Sequence, residues 1–263
     1  EDVVVHAGDT NAAPTNTGGF ASRTVIAAAG AIERGAQEFT DRVRRLGSNA
    51  LRTDADAVEL VDGAVRVIDE PDRSISLRSI FRMAILGERL PPGESPGLEV
   101  TSYFSPSHAA YAFGTAAAVV NVDAETGEFE VERIVMVHDS GVAINPMLVE
   151  GQVVGGIVQA LGAAVGEELV YDEETGQLLN GTMMDYFAPL APDIPRIQVI
   201  STEVPSPVTP LGVRGAGESG TIPVAAALAN AICNALDEFA VELDRLPITP
   251  EQVWRAVQAA RAL

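Results

Sequence analysis

The feature that most constrains this chain is the run Gly212-Val213-Arg214-Gly215-Ala216-Gly217-Glu218-Ser219-Gly220, followed at once by an apolar helix-forming segment. Glycine reaches dihedrals that other residues avoid, and it leaves no Cβ between the main chain and whatever lies against it. A single carboxylate, Glu218, is held inside the run. What Glu218 faces decides the function.

Gly215, Gly217 and Gly220 match the G-x-G-x-x-G string of dinucleotide-binding turns. That string carries meaning only after a buried strand in a βαβ unit. Here it follows Val204-Pro205-Ser206-Pro207-Val208-Thr209-Pro210, and three prolines do not make a central parallel strand. Asp237 falls where a ribose-binding acid would, but it lies along the same apolar helix. The dinucleotide reading, and with it an NAD-binding dehydrogenase, fails on context.

With 263 residues and 47% hydrophobic content, the chain is globular and long enough for a sizeable core. No uninterrupted apolar run reaches membrane-spanning length, and no charged-then-apolar signal segment opens the chain. The opening Glu1-Asp2-Val3-Val4-Val5 reads as a strand, as expected of a subunit or fragment. The formal charge of −20 argues against nucleic acid and against anionic membranes as partners. All 17 basic residues are arginine. The single cysteine, Cys233, reads as a core residue; one thiol excludes an intrachain disulfide and a cysteine-held iron–sulfur cluster on this chain alone.

The pattern of elements is α+β. After a polar loop containing Gly8-Asp9-Thr10 and Thr17–Arg23, a helix is expected over Thr24–Arg45, with Ser22 near its start. Asp54–Asp72 reads as a hairpin about Asp62-Gly63. Ser74 or Ser76 caps a second helix ending near Gly87, followed by a proline–glycine loop. Strands are expected over Leu98–Phe104, Ala116–Asp123 and Phe129–Val137, the last two joined at Ala124-Glu125-Thr126-Gly127. Asn145-Pro146 opens a helix over Met147–Val165. Its Gly151, Gly155, Gly156 and Gly162 each cost about 1 kcal/mol relative to alanine, which points to close packing against backbone or ligand. A hairpin about Glu173-Glu174-Thr175-Gly176, a strand over Ile197–Glu203, a helix from Thr221 to about Ala240, and a capping box at Thr249-Pro250-Glu251-Gln252 complete the chain.

Three polar, glycine-rich places can carry chemistry: Thr17–Arg23, Gly155–Gln159 and Arg214–Ser219. Ser22, Thr24 and Thr221 can either cap the helices that follow or receive an anion at their N-termini. Gln159 is either a solvent-facing polar residue or a hydrogen-bond donor to a buried ligand. His138-Asp139-Ser140 has the residue types of a hydrolase triad, but neighbours in a strand alternate faces and form no relay. His6, His108 and His138 lack metal-ligand spacing, so no metal ligand is assigned to the chain.

Several segments then occur in one order: Gly8-Asp9-Thr10, Gly19-Phe20-Ala21-Ser22-Arg23, Asp139-Ser140-Gly141 with Ile144-Asn145-Pro146, Glu150-Gly151-Gln152-Val153 with Gly155-Gly156-Ile157 and Gln159, and Gly215-Ala216-Gly217-Glu218. Together they resemble the molybdopterin-binding large subunit of the xanthine dehydrogenase family, which includes aldehyde oxidoreductases, aerobic carbon monoxide dehydrogenases and bacterial N-heterocycle hydroxylases. The likeness runs over nearly the whole chain and is least distinctive over Ser48–Pro96.

The resemblance implies that Glu218 is the catalytic base of an oxidative hydroxylation of carbon, taking its oxygen from water with molybdenum accepting the electrons. Apolar surroundings would raise its pKa and Arg214 nearby would lower it. It further implies that Gln159 contacts the cofactor near the metal, that Gly19, Phe20, Ala21 and Ser22 bind the pterin or its phosphates, and that the amides of Arg214, Gly215, Ala216 and Gly217 face the pterin. The form of the Arg214–Ile222 loop is similar to the carbon monoxide dehydrogenase and bacterial hydroxylase branch, which implies molybdopterin cytosine dinucleotide. A complete large subunit is much longer, so residues 1–263 resemble the C-terminal part of the molybdopterin-binding domain, holding half a site. The expected partners are the N-terminal half of the large subunit, a small iron–sulfur subunit, a medium FAD subunit and a small-molecule substrate, in the cytoplasm. The alternative is a non-catalytic paralogue or assembly module that binds the cofactor without turnover.

Overall fold

Residues 3–11 and 18–262 are described by the structure, a computed structural model. They divide into two units, Ala27–Ser107 and the segments flanking it.

In the smaller unit, most of helix α1 (Thr24–Leu51) precedes an antiparallel meander of β1 (Val58–Val61), β2 (Ala64–Val67) and β3 (Glu70–Ser76). Asp62 and Gly63 join β1 to β2 with φ of 48° and 72°; this doubly positive geometry is what a tight two-residue hairpin turn needs. Helix α2 (Leu77–Leu86) starts where Ser76 Oγ accepts the Ser79 N–H at 3.3 Å, and ends at Gly87 in the left-handed conformation. Val43 and Leu46 of α1 pack with Val65 of β2 and Ile80 of α2, all fully buried. Each such side chain contributes about 1.5–3 kcal/mol.

The larger unit is built on a sheet of order β4-β5-β6: β4 (Phe113–Val122), β5 (Phe129–Asp139) and β6 (Arg196–Thr202). β4 and β5 are an antiparallel hairpin turning at Gly127, whereas β5 and β6 run parallel, with His138 opposite Ser201 and Asp139 opposite Thr202. A parallel pair needs a long crossover, which α3 (Pro146–Val165) and the segment after it supply. Helix α4 (Thr221–Ala235) lies beside α3, and α5 (Pro250–Arg261) closes the unit. Ile134 and Met136 of β5, Val153 and Ile157 of α3, and Val224 of α4 form one buried cluster. By length and composition α3 could cross a bilayer, with mean hydropathy 1.5; in this fold its apolar face is the core of the unit.

The helix glycines divide into two kinds. A Cβ on Gly156 would lie 3.0 Å from Gly220 Cα, and one on Gly220 would meet Val153 O and, at 2.8 Å, Ile157 N. The two helices therefore cross with backbone against backbone. Gly151 and Gly155 have nothing within 4 Å of that position and are exposed. Close packing explains Gly156 and Gly162 but not these two.

The fold is α+β as expected, with five local differences. Val3–Val5 are exposed and belong to no strand among the described residues; Glu1 and Asp2 lie outside them. Leu98–Phe104 is not a strand, although its composition is. It runs along α1 instead: Ser102 Oγ donates to Ala31 O at 2.5 Å, and the Phe104 ring fills the space that a side chain on Gly30 would need. The Asp54–Asp72 hairpin gains a third strand, and α1 continues to Leu51. Helix α4 stops at Ala235 and gives way to a 3₁₀ turn at Asp237–Phe239, ending at Ala240 with φ 50°.

Candidate active site

The site grows from the end of β5. There Asp139 Oδ1 accepts the Gly141 N–H at 2.9 Å, while Oδ2 accepts the Thr202 hydroxyl at 2.9 Å and the Val204 N–H at 2.8 Å. Arg214 Nε stands 3.5 Å from Oδ1. One buried carboxylate thus ties together the ends of both parallel strands and the start of the glycine loop. Burial works to raise its pKa, but the two backbone N–H groups, Thr202 and Arg214 outweigh burial and hold it below the usual carboxylate value.

The loop is fastened to the same place by backbone. Arg214 N–H donates to Ser140 O at 2.7 Å, and Gly212 O accepts from Val142 and Ser206 at 3.1 and 2.9 Å. Gly141 has φ 67°, and a Cβ there would strike Gly212 O. Arg214 carries its guanidinium to Tyr111 O at 2.9 Å and over the Phe113 ring at 4.8 Å. Its charge is therefore engaged with Asp139 and Phe113, which corrects the expectation that Arg214 tunes Glu218.

Glu218 meets Ser22. The Ser22 hydroxyl accepts the Glu218 N–H at 2.9 Å and donates to Glu218 Oε2 at 3.1 Å. Gly215 makes this possible, since a Cβ there would lie 2.6 Å from both Cβ and O of Ser22. Ala21 and Ser22 both adopt left-handed φ, 50° and 53°, a strain of about 1–3 kcal/mol each that concentrates at ligand clamps. Both bonds of the Ser22 hydroxyl go to Glu218, so it holds the carboxylate and does not cap α1. Gly19 and Phe20 complete an exposed turn, with the Arg23 guanidinium 4.9 Å from the Phe20 ring. Thr17 lies outside the described residues.

Gln159 is exposed on α3, two turns beyond Gln152. Gln152, Gly155 and Gln159 share one helix face by their spacing. Gln152 Oε1 and Ser22 Oγ lie 3.3 and 3.2 Å from where a Cβ of Gly217 would stand. The stripe therefore starts at the glycine loop. Gln152 was missed as a site residue; its i, i+7 spacing to Gln159 is the signal that could have found it. Also unforeseen is a cavity of about 340 Å³ beside Glu218, lined by Ala112, Phe113, Gly114, Ser219, Ile222 and Pro223.

The arrangement suits a large polar ligand with anionic groups. Gly220 gives α4 no side-chain cap; Thr221 N–H donates to Glu218 O at 3.2 Å and Pro223 has no N–H, so the first turn offers the Ile222 N–H and partial positive charge. Gly155 leaves α3 backbone open next to two carboxamides.

Residues 1–195 match the model of the molybdopterin cofactor-binding domain, and the chain belongs to that family. Its relatives include the large subunit of nicotine 6-hydroxylase from Paenarthrobacter nicotinovorans, 35% identical over 98% of this chain and 32% of the relative. Quinoline 2-oxidoreductase from Pseudomonas putida 86 superposes with a TM-score of 0.81 at 38% identity, over 91% of this chain and 30% of that one. Reconstituted carbon monoxide dehydrogenase from Oligotropha carboxidovorans gives 0.85 at 28% identity, over 96% and 31%. The chain thus spans about a third of the length of the proteins it matches.

Proposed function

We propose that this chain supplies the base-bearing part of the active centre of a molybdenum hydroxylase, with Glu218 as the general base. One observation carries the reading: the Ser22 hydroxyl fixes Glu218 by its N–H and by Oε2. Oε1 has no partner among the described residues and remains available to take a proton. A base must be held within hydrogen-bond reach of the proton it removes, and such groups contribute about 10²–10⁴ in rate.

The bound cofactor would supply the two-electron oxidant. The rest falls to this chain. The amides of Gly215, Ala216 and Gly217, the first turn of α4, Gly19, Phe20, Ala21 and Ser22, and the carboxamides of Gln152 and Gln159 are the groups to hold the pterin; the Arg214 N–H, expected among them, donates to Ser140 O instead. The cytosine dinucleotide form is the one the loop Arg214–Ile222 favours. Glu218 Oε1 accepts the proton of the attacking water-derived oxygen. The cavity walled by Phe113 and Ile222 receives the flat, apolar part of a small substrate such as an N-heterocycle or aldehyde.

In this reading the metal would be held through its pterin. Residues 1–263 then act as the C-terminal part of the molybdopterin-binding domain, completed by the remainder of the large subunit. An iron–sulfur subunit and an FAD subunit carry the electrons away, and the assembly works in the cytoplasm. The test is Glu218→Gln in the assembled enzyme: molybdenum content stays unchanged while turnover falls by at least 10²-fold. Normal turnover in that variant overturns the assignment. Metal with no hydroxylation of aldehydes, purines or N-heterocycles by the unmutated complex overturns the catalytic reading in favour of a cofactor-binding module.

A further inference from the structure

The segment between α3 and β6 is built with care yet leaves its apolar side chains in solvent. After α3 the chain forms a short two-stranded arm, with Tyr171 bridged to Leu178 and Leu179 N–H donating to Val170 O at 2.8 Å. Asn180 locks its base, accepting from Val170 N–H at 2.9 Å and donating to Glu168 O at 2.6 Å. Tyr186 OH donates to Glu167 at 2.7 Å, and the Phe187 ring covers Gly166. These bonds fix the segment. Even so, Leu169, Val170, Tyr171, Leu179, Met183 and Met184 are all exposed, the two methionines at 83% and 92%.

An isolated two-stranded arm is marginal in water. Here Tyr171 and Leu178 share one face while Val170 and Leu179 take the other, so both faces are apolar. Several large apolar side chains held exposed on one short ordered segment mark an interface, and methionine is enriched at such contacts.

Charge selects the occupant. Residues 134–195 contain neither arginine nor lysine, and Glu168, Asp172, Glu173, Glu174 and Asp185 surround the apolar residues. The partner surface is therefore apolar with a basic rim. A second copy of this chain, at −20, is repelled. The matched relatives are about three times as long as this chain, and their remaining two thirds correspond to polypeptide that this fold lacks.

We infer that the arm at residues 166–190 is the docking surface for the rest of the large subunit. This rests on the reading of the chain as part of a larger molybdenum enzyme. The test is methionine oxidation by hydrogen peroxide in the purified complex, read by mass spectrometry, with fully buried Met136 as the slow reference and free methionine as the fast one. Met183 and Met184 should react at least ten times more slowly than free methionine. Reaction within twofold of free methionine overturns the docking surface. In parallel, the double variant Met183→Glu, Met184→Glu should keep the far-ultraviolet circular dichroism of the chain yet lower the yield of assembled complex at least tenfold. Normal assembly of the double variant also overturns the inference, and so does a dimer of this chain alone that the variant abolishes. If the variant does not fold, the oxidation rates decide. Molybdenum content is assayed separately: metal with unprotected methionines removes only the docking surface, whereas protected methionines without metal remove only the cofactor reading.

Discussion

Ser22 and Glu218 hold one another across 196 residues of chain, through a hydroxyl that accepts the Glu218 N–H at 2.9 Å and donates to Oε2 at 3.1 Å. Each half of this exchange constrains the other: the first fixes the backbone of the glycine loop, the second fixes the carboxylate that the loop presents. Removing the hydroxyl frees both. Ser22→Ala should therefore lower kcat of the assembled enzyme by about tenfold, with molybdenum content unchanged. In a Glu218→Gln background the same substitution should add little, because residues acting as a unit are not additive. A double-mutant cycle showing full additivity would remove the positioning role.

The helix crossing offers a contrast between two glycines. Gly220→Ala drives a Cβ into Val153 O and to 2.8 Å from Ile157 N, both backbone atoms that cannot rotate away. Overpacking of that kind costs about 1–3 kcal/mol or more, so a loss of at least 2 kcal/mol is expected in denaturant unfolding. Gly151→Ala meets nothing within 4 Å and should raise stability by about 0.5–1 kcal/mol through helix propensity. Equal effects of the two substitutions would contradict the crossing.

Asp139 and Arg214 make a buried ion pair, and breaking such a pair costs about 3–5 kcal/mol. Asp139→Asn should fall in that range, at its low end because Thr202 and two N–H groups remain as partners. The folded pKa of Asp139 lies below its ordinary value, which is about 3.9. Its stabilisation is thus complete above about pH 4 and is lost as pH falls through the folded value. Thermal unfolding of the variant should show a shallower acid decline than that of the unmutated chain.

His138 gives a second pH signature at a higher window. Its ring is buried and neither nitrogen has a hydrogen-bond partner. Burial lowers its pKa, with the Asp139 charge opposing. The unfolded chain, whose histidine titrates near about 6.5, takes up the proton first. Stability should therefore be full above about pH 6.5 and decline below it. His138→Leu removes the unpartnered polar group and should flatten the melting temperature between about pH 6.5 and 5 without lowering it at pH 8. An unchanged slope would show that other groups set it.

What could be read from the sequence was mostly local. Ser76, Asn145 and Thr249 each cap a helix as their spacing predicts, and glycines 63 and 127 turn their hairpins. These depend on atoms within a few residues of one another. Long-range choices were not legible. Leu98–Phe104 has strand composition, but the bare surface at Gly30 gave it a better contact along α1. Val3–Val5 has strand composition but pairs with no strand among the described residues. In the site, the resemblance drew attention to Ser22 and Glu218, yet nothing in the chain between them says that they touch. Arg214 sits four residues from Glu218 and turns away from it because Asp139 is buried and must be paired. Gln152 looked like any exposed helix glutamine until Gly217 was found beside it.

The distance in sequence between Ser22 and Glu218 also sets an order of events during synthesis. At about 5–20 residues per second, the codon for residue 218 is read roughly 10–40 s after that for residue 22. A nascent chain carrying the first loop has no glycine loop to close against, whereas α3 waits a shorter time, roughly 3–15 s, for Gly220. A ligand that needs both loops can therefore be held only after residue 218 has been made.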